Sequence, residues 1–514
     1  MGARAARAVW GAMKGFRSFR TALESTHLLL TAKILVALLL AWFAGAFLYI
    51  TVSRIGYPFG LEWLEGAVLV QVHRLLSGQP LYVKPSIGYV PLLYAPLYFY
   101  VAALTSQVVG PGFFALRMVS LLATFGCVGM TGLIVRRRSG SIYVSLMAAG
   151  SFFALFQIGG SWFDIARVDM LALFLMMSAL YFVNGRSNLD LALAGLVAAL
   201  ALLTKQSYWI VFVPFLSYAF AASRGRSWIV LASSIITLGA THLWLNWLHQ
   251  GWYSFYVYKL AFGWGPAGGR GVGAIDVYWN APVAQTLPIV FLLFALYLAV
   301  VPHDRIQRMG LLAVAGGLIL LSWSGINVVG GWKNTLIPSY AIFVIFAWLM
   351  IHELLQNPKV SNALRSLVLL LYCAQLAWLL YPVSDQIPSR ADLLAGQALV
   401  QEIGRTPGDV LIPYDNYLAL YAGKPPFLNY AAWGDLDSAV DVGSHRLWRD
   451  VTLTLRKAIR ERQFDLIVLD GDAPWSDLQP YYLRSEISYS GDAFMPVTGW
   501  RVRPAYRFAP PDVK

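Results

Sequence analysis

Long apolar runs separated by short polar connections set the pattern of this chain. Runs near the roughly 20 residues a helix needs to span a bilayer fall at about 29–51, 114–135, 141–158, 168–183, 189–204, 208–222, 228–247, 287–302, 309–323, 336–351 and 364–381. About eleven transmembrane helices are predicted. If they alternate in direction, Arg136 to Arg138, Arg186, Arg224 and Arg226, Arg305 and Arg308, and Lys359 with Arg365 all fall on the side of the N-terminus. An excess of basic residues in short loops marks the cytoplasmic side. A further apolar run, Pro91–Val109, would invert every later loop if it crossed. It is therefore read as a re-entrant or juxtamembrane helix in the first outer loop, which its prolines also favour.

The ends of the chain follow other patterns. In residues 1–27, Ala6, Val9, Trp10, Met13 and Phe16 share one helical face while Arg7, Lys14 and Arg17 lie elsewhere, as expected of a basic helix on the cytoplasmic membrane surface. The run Leu28–Val52 is longer than a signal-peptide core and reads as a retained anchor. From Asp385 the pattern becomes that of a soluble domain, with helices expected at about 391–403 and 447–462 and strands at 409–413 and 465–470. The expected organisation is a transmembrane region over 28–384 and a small extracytoplasmic α/β domain over 385–514.

Composition agrees with the pattern. A chain of 514 residues that is 58% hydrophobic and 13% charged, with 19 Trp, has too much apolar surface for a water-soluble globule. Its net charge of +13 comes largely from the short connections, so it reflects topology and not a nucleic-acid footprint. Cys127 and Cys373 both lie inside apolar runs, and neither a disulfide nor a cysteine metal site is expected.

The uncommon charges then collect on the outer side. Glu62 and Glu65, three residues apart and so on one face if helical, follow the first span. They read either as a general base shielded by Trp63 and nearby tyrosines or as solvated loop acids. Asp164, Arg167 and Asp169 sit at the outer end of a span, either as a functional group or as a structural clamp. Lys205 interrupts two apolar runs, where it either binds phosphate or reaches up to the headgroups. The 248–286 loop is rich in aromatic residues and glycines, suited to a sugar, a lipid tail or the membrane interface. Asp435 and Asp437 form a D-x-D that is too short a signal to read as a metal site, and His242 and His249 lack further ligands.

Taken in order, Glu62-Trp-Leu-Glu65-Gly, Tyr94-Ala-Pro96-Leu-Tyr, Arg117, Arg167-Val-Asp169, Lys205-Gln206 and Gly330-Gly-Trp-Lys333-Asn334 resemble the GT-C superfamily of membrane glycosyltransferases. Its members include lipid A aminoarabinose transferases and protein O-mannosyltransferases. The resemblance covers roughly residues 28–350. It implies a helical membrane enzyme that moves a sugar from a polyprenyl-phosphate donor to a glycan, lipid or protein acceptor at the outer face of a bacterial plasma membrane. It implies an acidic base, Glu65 first and Glu62 second, with Asp169 orienting the site. Lys205, Arg117, Lys333, Arg270 and Arg167 are implied at the donor phosphate, and Tyr94, Trp264 and Asn334 at the sugar or lipid. The family commonly has an Asp-Glu pair where this chain has Leu64-Glu65, and the aminoarabinose transferases have a lysine where Ala95 stands, with Lys84 or Lys333 as substitutes. No cofactor is required by this reading. A divalent cation, if one is used, would sit among Asp164, Asp169 and Glu65. The competing readings are a transporter of a lipid-linked sugar, which needs the cations but no base, and a non-catalytic scaffold acting through the outer domain.

Overall fold

The computed structural model describes residues 26–223, 225–263, 278–279, 283, 285–301, 304–328, 330–439, 442–471, 475 and 478–511. The basic segment before residue 26, Trp264 and Arg270 lie outside the described residues.

All eleven predicted spans are helical. They are α1 (Thr26–Arg54), then, after α2 (Glu65–Leu76) and α3 (Leu97–Val109) in the connection that follows it, α4 (Phe113–Ser139), α5 (Ile142–Phe153), α6 (Asp169–Phe182), α7 (Asn188–Thr204), α8 (Trp209–Ala222), α9 (Ser227–Leu248), α10 (Pro288–Val300), α11 (Arg305–Ile326), α12 (Ile337–Gln356) and α13 (Asn362–Trp378). Five helices are long and apolar enough to cross a membrane: α1, α4, α9, α11 and α12 with its leading turn. The other six run 12–17 residues. The chain is thus a multi-pass membrane protein, in which α5 gives way to irregular backbone over 154–168 that is packed inside the protein.

Local chemistry fixes several helix starts. Ser141, Asp304 and Ser361 accept from backbone N–H groups at the starts of α5, α11 and α13. Ser187 and Asp190 form a reciprocal capping box on α7. The expected helix to residue 158 stops at Phe153. Tight turns replace it: the N–H of Gly159 donates to Leu155 O at 2.8 Å and that of Ser161 to Phe156 O at 2.8 Å. Such backbone at membrane depth is tolerable because its polar groups are satisfied within the protein. In the loop between α1 and α4, α3 has 13 residues, a rise of roughly 20 Å, the same length as α10 and one residue longer than α5, so length alone does not separate it from the spans.

The C-terminal region contains α14 (Arg390–Arg405), β1 (Asp409–Leu411), α15 (Tyr417–Tyr421), α16 (Tyr430–Ser438), α17 (Val442–Arg460), β2 (Phe464–Leu469), β3 (Leu483–Glu486) and β4 (Tyr506–Ala509). Its sheet has the order β1-β2-β4-β3, with β1 parallel to β2 and the other pairs antiparallel. Strands β3 and β4 carried no clear signal in the sequence; β3 is exposed along its whole length, so it lacks the alternation that marks a half-buried strand.

Two apolar cores result. One fills the helix bundle; the other runs without a break from Phe59 to Val119 of the α1–α4 loop and α4 into the sheet of the C-terminal region. The joint is tight. The Tyr417 ring lies against Gly66, where an added Cβ would come within 2.1 Å of it, and the N–H of Gly60 donates to the Tyr417 hydroxyl at 3.1 Å. Leu428 N–H donates to Ile87 O at 2.9 Å and Thr498 N–H to Leu61 O at 3.2 Å. The C-terminal region therefore forms a wall over the loop that carries Glu62 and Glu65.

Candidate active site

Four carboxylate–cation pairs converge beneath that wall. Arg54, the last residue of α1, pairs with Asp164 through two guanidinium nitrogens and also donates to Gln386 O at 3.0 Å and Ser161 O at 2.9 Å. Arg117, in the first turns of α4, pairs with Glu65 at 2.8 Å and donates to Phe59 O and Tyr57 O, each at 2.6 Å. Both pairs are fully buried.

Glu65 is saturated. It accepts from Arg117 Nε at 3.2 Å and Nη2 at 2.8 Å, from Leu61 N–H at 2.7 Å and from Ala166 N–H at 2.6 Å. An ionised carboxylate offers about four lone-pair positions. All are occupied, and their role is to tie the α1–α4 loop, α4 and the 154–168 turn together.

The other two pairs differ. Arg167 Nη1 donates to Glu62 Oε2 at 2.8 Å, and its Nη2 to the Tyr94 hydroxyl at 2.8 Å, while the guanidinium lies over the rings of Trp162 and Tyr94. Lys205 Nζ donates to Asp169 Oδ1 at 2.7 Å and keeps 20% of its side chain exposed. Asp169 is also held by Trp162 Nε1 and Asn334 Nδ2, each at 3.0 Å. Gln206 orients Tyr94 by accepting from Ala95 N–H at 3.1 Å and donating to Leu93 O at 2.6 Å.

Glu62 keeps one oxygen in reserve. Its Oε2 takes Arg167 and the N–H of Leu64 at 3.2 Å, while Oε1, like Arg167 Nε, is buried with no hydrogen-bond partner among the described residues. Burial pushes the Glu62 carboxyl up to about 7, against the pull of Arg167. Gly499 closes over it: its φ is +77°, and an added Cβ would lie 2.8 Å from Glu62 Cγ. Trp500 packs edge-on against Trp63 at 5.8 Å.

The structure thus brings together Glu62, Glu65, Asp164, Asp169, Arg117, Arg167, Lys205, Tyr94 and Asn334. Lys333 is exposed, with its Cβ beside Gly160, and Lys84 is exposed in the α1–α4 loop. Arg54 was missed, although an arginine ending a span on the side poor in basic loops was a visible signal. Asp435, set aside as half of a D-x-D, is half-buried, its carboxyl pushed up to about 8 by burial, and near enough for its charge to act on Tyr94.

A divalent cation does not fit the expected ligand set as it is arranged. Asp164 gives both oxygens to Arg54, Glu65 is saturated, and Asp169 bonds through both oxygens. Among the described residues no group of three His, Cys, Asp or Glu side chains is placed to hold a metal.

No family model and no curated protein matches the sequence. Among solved structures, the chain is similar to ArnT from Cupriavidus metallidurans bound to undecaprenyl phosphate, at 13% identity and a TM-score of 0.57, covering 91% of this chain and 97% of that one. The apo state of ArnT gives 12% and 0.57. The archaeal oligosaccharyltransferase AglB from Archaeoglobus fulgidus, in complex with an inhibitory peptide and a dolichol-phosphate, gives 11% and 0.50, covering 93% of this chain and 75% of that one. The chain shares the fold of these proteins, a likeness of architecture that spans the helix bundle and the C-terminal region together.

Proposed function

We propose that this protein is a membrane glycosyltransferase that moves a sugar from a polyprenyl-phosphate donor to an acceptor hydroxyl or amine at the extracytoplasmic face of a bacterial plasma membrane. The observation that carries the reading is the pair of half-open carboxylate–cation contacts, Glu62–Arg167 and Lys205–Asp169, in a fold shared with a protein solved with undecaprenyl phosphate.

In this proposal Glu62, and not the saturated Glu65, is the base. The acceptor oxygen or nitrogen attacks the anomeric carbon, its proton passes to Glu62 Oε1, and the bond from that carbon to the phosphate oxygen breaks with its electron pair leaving on the phosphate. Lys205, with donors beyond the one on Asp169, and Arg167, with Nε unpaired, stabilise that departing charge. Lys333 and Arg270 supply further positive charge. Trp162 and Asn334 hold Asp169 so that it positions Lys205. Tyr94 and Trp264 contact the sugar or lipid. The N-terminus is cytoplasmic in this reading, since the basic loops lie at the far end of the bundle from the site.

The test is a transfer assay with purified protein and a panel of polyprenyl-phosphate sugars. Transfer that is lost in Glu62→Gln while donor binding persists supports the reading. Movement of the lipid-linked sugar across vesicles without any transfer would replace it with transport.

A further inference from the structure

A narrow cavity runs between α4, α6, α8, α10, α11 and α12, from Leu173 and Pro338 near the site to Arg137 and Arg138 at the far end of the bundle. Arg137 lies twenty residues along α4 from Arg117, a rise of roughly 30 Å. The rim at Arg137 and Arg138 therefore lies at the opposite leaflet from the carboxylate pairs, while the inner end of the cavity, at Leu173 and Pro338, lies about one turn from Asp169 and Asn334. The cavity's walls are mostly apolar, with Met176, Leu318, Ile342 and Phe346 among them, and its polar side chains are Arg137, Arg138, Asn184 and the tyrosines Tyr181, Tyr218 and Tyr297.

The rim is built. The Tyr218 hydroxyl donates to Asn184 Oδ1 and accepts from Arg138 Nη2, each at 2.8 Å. Arg137 Nη1 donates to Tyr181 O at 2.6 Å while its guanidinium lies 4.3 Å from the centroid of the Tyr181 ring. Among the described residues neither arginine pairs with a carboxylate. The nearby Asp190 is engaged in the capping box of α7. Each guanidinium has five N–H donors and commits one to these bonds, so two positive groups are held in place with most of their donors turned elsewhere.

An apolar slot beneath two anchored guanidiniums complements a molecule with a hydrocarbon chain and a phosphate head. The geometry points to a binding site for an anionic phospholipid of the leaflet opposite the active site, one acyl chain between α6, α11 and α12 and the phosphate on Arg137 and Arg138. The site is independent of the glycosyltransfer reading. Occupancy would brace α4 and α6, which carry Arg117 and Asp169 at their other ends, so the lipid would also stiffen the site from below.

The test is lipid retention by native mass spectrometry after reconstitution into vesicles of phosphatidylglycerol, of phosphatidylcholine, or of phosphatidylcholine with undecaprenyl phosphate. The expected result is one phosphatidylglycerol per chain that survives delipidation, with phosphatidylcholine lost. In the double variant Arg137→Gln, Arg138→Gln the affinity should fall roughly fivefold for each arginine removed. Ile342→Trp, which fills the slot and leaves the rim intact, should also lose the lipid; if it does not fold, the arginine pair still decides. Equal retention of both phospholipids, retention unchanged in the arginine variant, or retention of undecaprenyl phosphate alone would each overturn the proposal.

Discussion

Glu65 and Glu62 lie three residues apart on the same buried loop, each beside an arginine from a distant segment, and they do different work. Glu65–Arg117 is closed: every lone pair has a donor, and neither side chain touches solvent. Glu62–Arg167 is half open, with an unpaired oxygen on one partner and an unpaired nitrogen on the other. A buried pair with all partners present holds a fold together but has no capacity left for chemistry. A buried pair with a vacancy on each side is costly to keep, and such costs are usually found at functional sites. The same contrast separates Arg54–Asp164, which is sealed, from Lys205–Asp169, which is not.

The sharpest way to break this contrast is to remove each carboxylate's charge in turn. Glu62→Gln should lower turnover per folded molecule by roughly 10² to 10⁴; because it also leaves the buried Arg167 without its carboxylate, the Tm should fall as well, and the loss of turnover should exceed what the folded fraction explains. In the unaltered protein kcat/KM should fall about tenfold per pH unit below about 7, because the carboxyl takes up a proton there and can no longer accept the acceptor's; Glu62→Gln should lack that limb. A limb that persists in the variant would move the base elsewhere.

Glu65→Gln and Arg117→Met should fail differently. Each leaves one buried charge without its partner, which costs about 3–5 kcal/mol, so the loss should appear as poor yield and a lowered Tm, with turnover per folded molecule nearly kept. Full stability with abolished turnover in Glu65→Gln would return the base to Glu65.

Lys205→Met is the next smaller effect. A charge-assisted contact to a phosphate oxygen is worth roughly 1.5–3 kcal/mol, so donor affinity should weaken roughly tenfold to a hundredfold. Donor affinity and single-turnover rate both unchanged would leave Lys205 as a partner of Asp169 and nothing more.

Gly499→Ala should have the least effect. The left-handed backbone alone costs roughly 1–2 kcal/mol for an L side chain, and the new methyl meets Glu62. A lower Tm with turnover down severalfold is expected; turnover unchanged would mean that the wall does not touch the base.

Much of this was present in the sequence. Hydropathy is a local property, and a run of apolar residues must become a helix in a bilayer because no water is available to satisfy its backbone; all eleven predicted runs are helical. The placement of Glu62, Glu65, Asp164, Arg167, Asp169 and Lys205 at one end of those runs followed from counting crossings, and the alternation of strand and helix around 409–411 and 464–469 followed from the local residue pattern.

Partnership was not legible, because it is decided in three dimensions. Arg117 meets a carboxylate 52 residues away, Arg167 one 105 away and Arg54 one 110 away, and nothing in a linear chain distinguishes these pairings from their permutations. Only packing decided that Glu65 is saturated and Glu62 is not. The early stop of α5 escaped for a related reason: Ala154 to Gly160 is apolar enough to continue a helix, but helices packed around it bury its turns, so internal hydrogen bonds serve where a lipid-facing segment would need helical ones. By its local pattern the C-terminal region is a separate soluble domain. The shared core, with Tyr417 against Gly66 and Gly499 against Glu62, makes it part of the site, since burial is a property of what lies adjacent in space and not in sequence.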